Sequence, residues 1–254
     1  MEKVRLGGMA LANGVLVHGP TAWAAAVRLS DGGIKVASGR KRRLLAHVEA
    51  PFARGPLRLT EAFLILPAMR RALPEARFSF EHPAVFTAVV VSAAVAAAAR
   101  RSRLSTAARE LVAAVASLTP VALSLRGGEL ASYHGAEHVS IGSYETGAQA
   151  PKEHDRCGSH LVGPLFLTSA AANALAAKAP SGSRGAARVA GAIGAVGASV
   201  EIFAWMHRHP RHPLARLLAR PGHELQQRLS TAEPTAEQLE VAEAALDAYL
   251  VLER

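Results

Sequence analysis

Pro83-Ala-Val-Phe-Thr-Ala-Val-Val-Val-Ser-Ala-Ala-Val-Ala-Ala-Ala-Ala99 contains no charged residue, and how it is read decides the class of the chain. Three similar stretches follow it: Leu111 to Leu125, Leu161 to Ala177, and Val189 to Met206, the last interrupted only by Glu201. Each is close to the lower limit for a helix that spans roughly 30 Å of hydrocarbon. Alanine-rich helices are weakly hydrophobic and also suit the buried helices of a soluble bundle, so length alone leaves both readings open. Gly191, Gly194, Gly197 and Ser199 in the last stretch are small residues of the kind that let helix backbones approach closely in a bilayer. Membrane insertion is the expectation. Glu201 would then be a costly carboxylate that marks a functional site, unless the span simply ends near Val200.

Upstream, Ala24 to Leu29 and Ile34 to Ala37 flank Asp31-Gly32-Gly33, a hairpin signal because glycine accepts positive φ without strain. Gly7-Gly8, Gly14 and Gly19-Pro20 punctuate a further short strand or loop. The fold class expected is therefore α+β. A small β-hairpin region over residues 1–56 precedes a mainly helical, membrane-embedded domain over 57–254, built on about four apolar helices. Leu59, Phe63, Leu66, Met69 and Leu73 recur at helical spacing between Leu57 and Ala76, and Pro67 should kink or interrupt that helix. The run His207 to Pro213 should end the last apolar helix. Thr235 and Gln238 form a capping box for a C-terminal amphipathic helix over 236–252, expected to pack through Leu239, Ala242, Leu246, Tyr249 and Leu250.

The chemistry-bearing residues lie between the second and third apolar stretches, in a His-rich segment over 133–160. Tyr133-His134-Gly135-Ala136-Glu137-His138, if helical, sets His134 and His138 one turn apart on one face with Glu137 beside them. His-x-x-Glu-His is the inverted form of the zinc-protease signature, in which two imidazoles hold the metal and the glutamate is the general base. His154, Cys157 and His160 add donors, and Glu145 a carboxylate. Zinc takes four ligands of this kind, or three plus a solvent position in a catalytic site. Against this stands the reading in which the histidines hydrogen-bond across a helix interface and Cys157 is a small buried residue.

With 29 Lys and Arg against 20 Asp and Glu, the chain carries +9 and suits an anionic neighbour such as lipid headgroups or RNA. Arg40-Lys41-Arg42-Arg43 is the densest basic run. Cys157 is the single cysteine, so no intrachain disulfide forms and a reducing compartment is expected. Met1 to Gly14 lacks the apolar core of a secretory leader and is expected to be structured chain. Four full spans would put both termini and the His-rich segment on one side, yet arginines flank both sides, and two re-entrant hairpins would satisfy the positive-inside rule equally well. There is no phosphate-cradling Gly-x-x-x-x-Gly-Lys loop, no Gly-x-Ser-x-Gly elbow and no dinucleotide fingerprint, which disfavours an ATPase, a serine hydrolase or a dehydrogenase.

Gly7-Gly8 with Gly14-Val15, Arg54-Gly55 with Glu61, the Tyr133 to His138 block, Tyr144-Glu145, His154-Asp155-Arg156-Cys157-Gly158, Pro221-Gly222 with Leu225-Gln226, and Glu233-Pro234 through Ala242 occur in one order. In this the chain resembles the YqhQ-like family of bacterial membrane proteins, which have no assigned function and are described as metal-dependent enzymes. The resemblance implies a bacterial cytoplasmic (inner) membrane location, with the His-rich site on the cytoplasmic side. It also implies a shared site: Glu137 as catalytic residue, with His134, His138, His154, Cys157 and Glu145 as metal ligands. The sequence departs from the family at Met9 and Asn13, where relatives carry glutamine and glutamate, and at Val139, where lysine is common.

The expected function is thus a membrane-embedded, metal-dependent enzyme, hydrolytic in class, using a divalent metal such as zinc. The alternative is a non-catalytic scaffold or assembly factor with a structural metal. A basic adaptor that docks a ribonucleoprotein ranks last, because no nucleic-acid-reading motif accompanies the charge. The lipid bilayer is the expected partner and a second copy of the chain a candidate one.

Overall fold

The structure is a computed structural model and describes residues 3–41, 50–125 and 128–253. It is α+β, and its residues group into two compact units, each assembled from separate parts of the chain. One comprises Met1–Arg40, Met69–Lys152 and Leu229–Arg254, the other Lys41–Ala68 and Glu153–Arg228. Arg42 and Arg43 of the basic run lie outside the described residues.

In the first unit four antiparallel strands follow one another in order: β1 Gly7–Leu11, β2 Gly14–His18, β3 Ala22–Arg28 and β4 Ile34–Arg40. The expected hairpin is β3–β4, with Arg28 opposite Ile34 and Ala24 opposite Ser38. Its turn works as the residue types require. Gly32 takes φ 86°, and the Asp31 carboxylate accepts the Gly33 N–H at 2.9 Å. The glycines before it punctuate two strands, since β1 and β2 form a second hairpin. Asn13 stands just ahead of β2 and is buried. Its amide donates to the carbonyls of Arg28 and Glu75, each at 3.1 Å, and its side-chain oxygen accepts the Arg77 N–H at 2.9 Å.

One face of the sheet is covered by α4 (Glu129–Thr146) and α8 (Ala236–Glu253). Val15, Val17, Ala22, Ala24 and Ala26 meet Tyr133, Ala136 and Ile141 from α4 and Val241, Ala242, Ala245, Leu246 and Tyr249 from α8. Alanines at alternate positions of β3 keep that face low enough for two helices to lie on it. Each large aliphatic side chain buried there contributes about 1.5–3 kcal/mol. The capping box of α8 is present: the Gln238 carboxamide oxygen accepts the Thr235 N–H at 2.9 Å, and Thr235 Oγ1 accepts the Gln238 N–H at 3.3 Å. At its other end Tyr249 donates to Glu253 and so does Thr21, which latches the helix to the sheet.

The same unit holds the hairpin of α2 (Pro83–Arg101) and α3 (Thr106–Ser124). Pro83 stands at the first turn and the His82 ring accepts the Ala84 N–H at 3.3 Å, a proline-and-cap start that leaves few donors orphaned. Ser92 donates to the Ala116 carbonyl at 2.6 Å across the hairpin.

The second unit is organised by α5 (Val162–Ala177), α6 (Arg184–Arg208) and α7 (Pro213–Leu225). The small residues of α6 do what their spacing implies. A Cβ at Gly191 would lie 3.3 Å from that of Ala172, and one at Gly197 would collide with the Phe52 carbonyl. Helix α6 ends at Arg208 as expected, and the His212 ring caps α7 by accepting the Leu214 N–H at 3.2 Å. Glu201 accepts from the Arg54 guanidinium in a two-pronged ion pair and from the Phe52 N–H at 3.3 Å, so its own charge on the apolar helix is compensated.

Helix α1 runs over Arg54–Ala72 and continues through Pro67, which does not interrupt it. Ile65 and Met69 are its buried apolar residues, whereas Leu59 and Phe63 of the expected stripe stay exposed. Among the described residues, three helical segments are long and apolar enough to cross a membrane: Pro83–Arg101, Gly158–Ala177 and Arg184–Arg208. The fourth stretch passes that test only when Leu111–Ser124 is joined to Glu129–Thr146 through an 84° bend, and the latter helix is the one laid on the sheet. Phe86, Leu175 and Ile193, each more than 60% exposed, give these segments an apolar surface that water does not favour and lipid does.

Asn13→Ala leaves two carbonyls and one N–H without their side-chain partner. It is expected to lower the Tm of the detergent-solubilised protein by roughly 5 °C, read by circular dichroism, because a buried polar group left unpaired costs about 1–3 kcal/mol. An unchanged Tm would show that Asn13 is not the clasp between β2 and the chain at Glu75 to Arg77.

Candidate metal centre

Helix α4 carries the signature and is helical throughout it, so His134 and His138 share a face. Their ring centroids are 4.3 Å apart at an interplanar angle of 59°. His138 is buried at 2% exposure and His134 half-buried. Both rings are held in the same way from outside the helix. Nδ1 of His134 lies 2.7 Å from the Ser230 carbonyl oxygen, and Nδ1 of His138 lies 2.6 Å from that of Lys152. A carbonyl oxygen can only accept, so each Nδ1 carries a proton and donates it to the main chain. This is the arrangement in which metal-ligating histidines are usually found, with one ring nitrogen fixed by a backbone carbonyl and the other turned to the cation.

Glu137 lies on the side of α4 that faces the sheet, and its carboxyl group rests directly over the backbone of β1 at Gly8. A Cβ at that position would overlap the carboxyl group, so only glycine admits it. Exposure of Glu137 is 6%. Burial pushes its carboxyl up to about 7, against a smaller opposing pull from His134. Ser230, whose carbonyl orients His134, keeps its own hydroxyl buried with no hydrogen-bond partner among the described residues.

Cys157 belongs to the second unit. It is half-buried and immediately precedes the 3₁₀ turn Gly158–Leu161. Its N–H donates to the His154 carbonyl and its own carbonyl accepts the His160 N–H, both at 3.1 Å. His134 and His138 in the first unit, and Cys157 in the second, are residues that could hold a metal ion. Imidazole nitrogen and cysteine sulfur are ligands that zinc takes, so these residue types fit that cation.

The remaining expected ligands fall outside this set. Glu145 follows His138 by seven residues on α4, about two turns or roughly 10 Å along the axis. His154 shows the opposite tautomer, because its Nδ1 accepts the Arg156 N–H at 3.3 Å and its proton therefore sits on Nε2. Residues that the motif reading did not single out for a role are Ser230 and Lys152, which act through main-chain carbonyls with no side-chain signature. Gly8 and Gln226 had only their place in the family blocks to mark them.

In the metal-free protein the folded state holds the Glu137 proton up to about pH 7, while the unfolded chain releases it near the ordinary 4.5. The folded state thus binds more protons in that window, and stability falls as pH rises through it, by about 3 kcal/mol in full. Glu137→Gln should flatten this slope, which unfolding midpoints at about pH 5 and about pH 8 would reveal. An unaltered slope would mean that Glu137 is ordinarily ionised.

A family described as a protein of unknown function (DUF1385) matches residues 128–252, just under half of the chain. The matched stretch takes in α4, the Cys157 loop, α5 to α7 and most of α8. Comparisons with curated proteins and with solved structures found no match. Over that stretch the chain is similar to an uncharacterised family.

Proposed function

We propose that the protein is a membrane-embedded, metal-dependent enzyme of hydrolytic class, with His134 and His138 as two ligands and Cys157 as the third. The observation that carries this reading is the matched pair of Nδ1–H donations to Ser230 and Lys152, which orients two imidazoles on one helix face. Connectivity supports Cys157. Lys152 is fastened to the His138 ring, and Cys157 follows it by five residues, a stretch of chain that spans at most about 18 Å. When bound, a divalent cation such as zinc supplies a Lewis acid and lowers the pKa of water held there. Glu137, next to His138 in the chain and buried over Gly8, would be the residue that holds a proton beside such a cation.

The same reading puts the chain in a bacterial inner membrane with the site facing the cytoplasm, where a lone ligating thiol stays reduced. The finer likeness to the YqhQ-like family belongs to this proposal as well. It is consistent with the three apolar helical segments and with Arg208, Arg211, Arg216 and Arg220, which crowd the chain after the last of them.

The test is elemental analysis of the detergent-purified chain, prepared without a histidine tag. Near-stoichiometric zinc or another divalent transition metal is expected in the parent, falling to background in the His134→Ala, His138→Ala double variant. Glu137→Gln should keep the metal and lose hydrolytic activity. A parent free of metal removes the proposal, and a Glu137→Gln protein that keeps both metal and function makes the site a structural staple in a membrane scaffold.

A further inference from the structure

Gln226 is the one fully buried carboxamide in the second unit, with 0% exposure at the end of α7. Its side chain bonds to one short loop through both its oxygen and its nitrogen. Its carboxamide oxygen accepts the His154 N–H at 2.8 Å. Its amide nitrogen lies 3.2 Å from the His154 carbonyl, 2.7 Å from Ser159 Oγ and 3.1 Å from His160 Nδ1. Gln226 therefore grips the main chain of His154 from both sides, then holds two side chains beyond Cys157. Cys157 is itself bonded by its N–H to His154 and by its carbonyl to His160, the two residues that this side chain holds on either side of the thiol.

A buried carboxamide costs free energy unless its donors and acceptor are used, and here they are spent on a loop with no regular ladder of its own. The loop is also drawn close to α7 at Gly222, where a Cβ would come within 2.6 Å of the His160 Cα. We infer that Gln226 is the positioning residue that presents the Cys157 sulfur as a ligand, an inference that rests on the metal reading above. Gln226 does not touch the cation. It removes the freedom of the His154 to His160 loop before the metal arrives, so that the thiolate is delivered without an ordering cost.

Cobalt(II) gives the test a readout other than activity, because thiolate and imidazole ligation have separate signatures in its absorption spectrum. The full chain in detergent is titrated with cobalt(II) as parent, Cys157→Ser, Gln226→Ala and Gln226→Met, the last close in volume but unable to accept or donate the same bonds. Helix content is checked by circular dichroism. The parent should show a sulfur-to-cobalt charge-transfer band that Cys157→Ser abolishes. Both Gln226 variants should lose that band, retain the ligand-field absorption of the imidazoles, and bind cobalt roughly 10- to 100-fold more weakly, the usual cost of removing a support behind a ligand.

Retention of the sulfur band at parental affinity in a folded Gln226→Met protein overturns the assignment while leaving the metal site standing. Loss of both signatures, or unfolding of both variants, also overturns it and makes Gln226 a packing residue. A parent with no cobalt absorption, or with a spectrum unchanged by Cys157→Ser, shows instead that the metal reading has failed and the inference with it.

Discussion

The packing of α4 on the sheet is the interaction on which the rest of the first unit turns. That helix has to bury Tyr133, Ala136 and Ile141 against β2 and β3 while carrying two imidazoles and a carboxyl group along the same few turns. The two demands are compatible because α4 offers its three chemistry-bearing residues over an arc of roughly 100° beside the apolar stripe. Gly8 then leaves out a side chain on β1 that would overlap the Glu137 carboxyl group. The result is a carboxyl group in a dry setting and two rings whose orientations come from carbonyls far away in sequence.

Those carbonyls explain why the elements around α4 are built as they are. Ser230 lies just before α8, whose capping box and latch to Thr21 hold it on the sheet. Lys152 lies in the chain that leaves α4 and is pinned by the ring it orients. Ser230 also closes the π turn that Gln226 opens, and such turns are uncommon enough in helical chains to be associated with sites. The apolar hairpins solve a different problem. In α5 and α6, glycines replace side chains with backbone contact, and the one carboxylate that interrupts the apolar surface is neutralised by Arg54.

Much of this architecture can be read directly from residue types. The Asp31-Gly32-Gly33 turn, the Thr235 and Gln238 box, the proline start of α2 and the histidine-proline run after α6 are local devices, each satisfied by groups a few residues apart, and all of them form. The apolar helices were legible for the same reason, since an uncharged run is a local property. Glu201 was open to a functional reading or to a place at the end of the span, and its ion pair with Arg54 was not legible because that partner lies 147 residues away. Asn13 carries no sign of being a three-bonded clasp, because its partners include the backbone at Glu75 and Arg77, which any residues could supply.

The sequence by itself determined the helix, the spacing of His134, Glu137 and His138 on it, and the kind of atoms available to a cation. Periodicity and residue chemistry need no knowledge of distant contacts. Only the tertiary structure decided which nitrogen of each ring bonds to a main-chain carbonyl, that Glu137 is buried over Gly8, and that Gln226 bonds to the loop around Cys157. Each of those depends on main-chain groups or on a missing side chain, and neither leaves a residue-type signature in the linear chain.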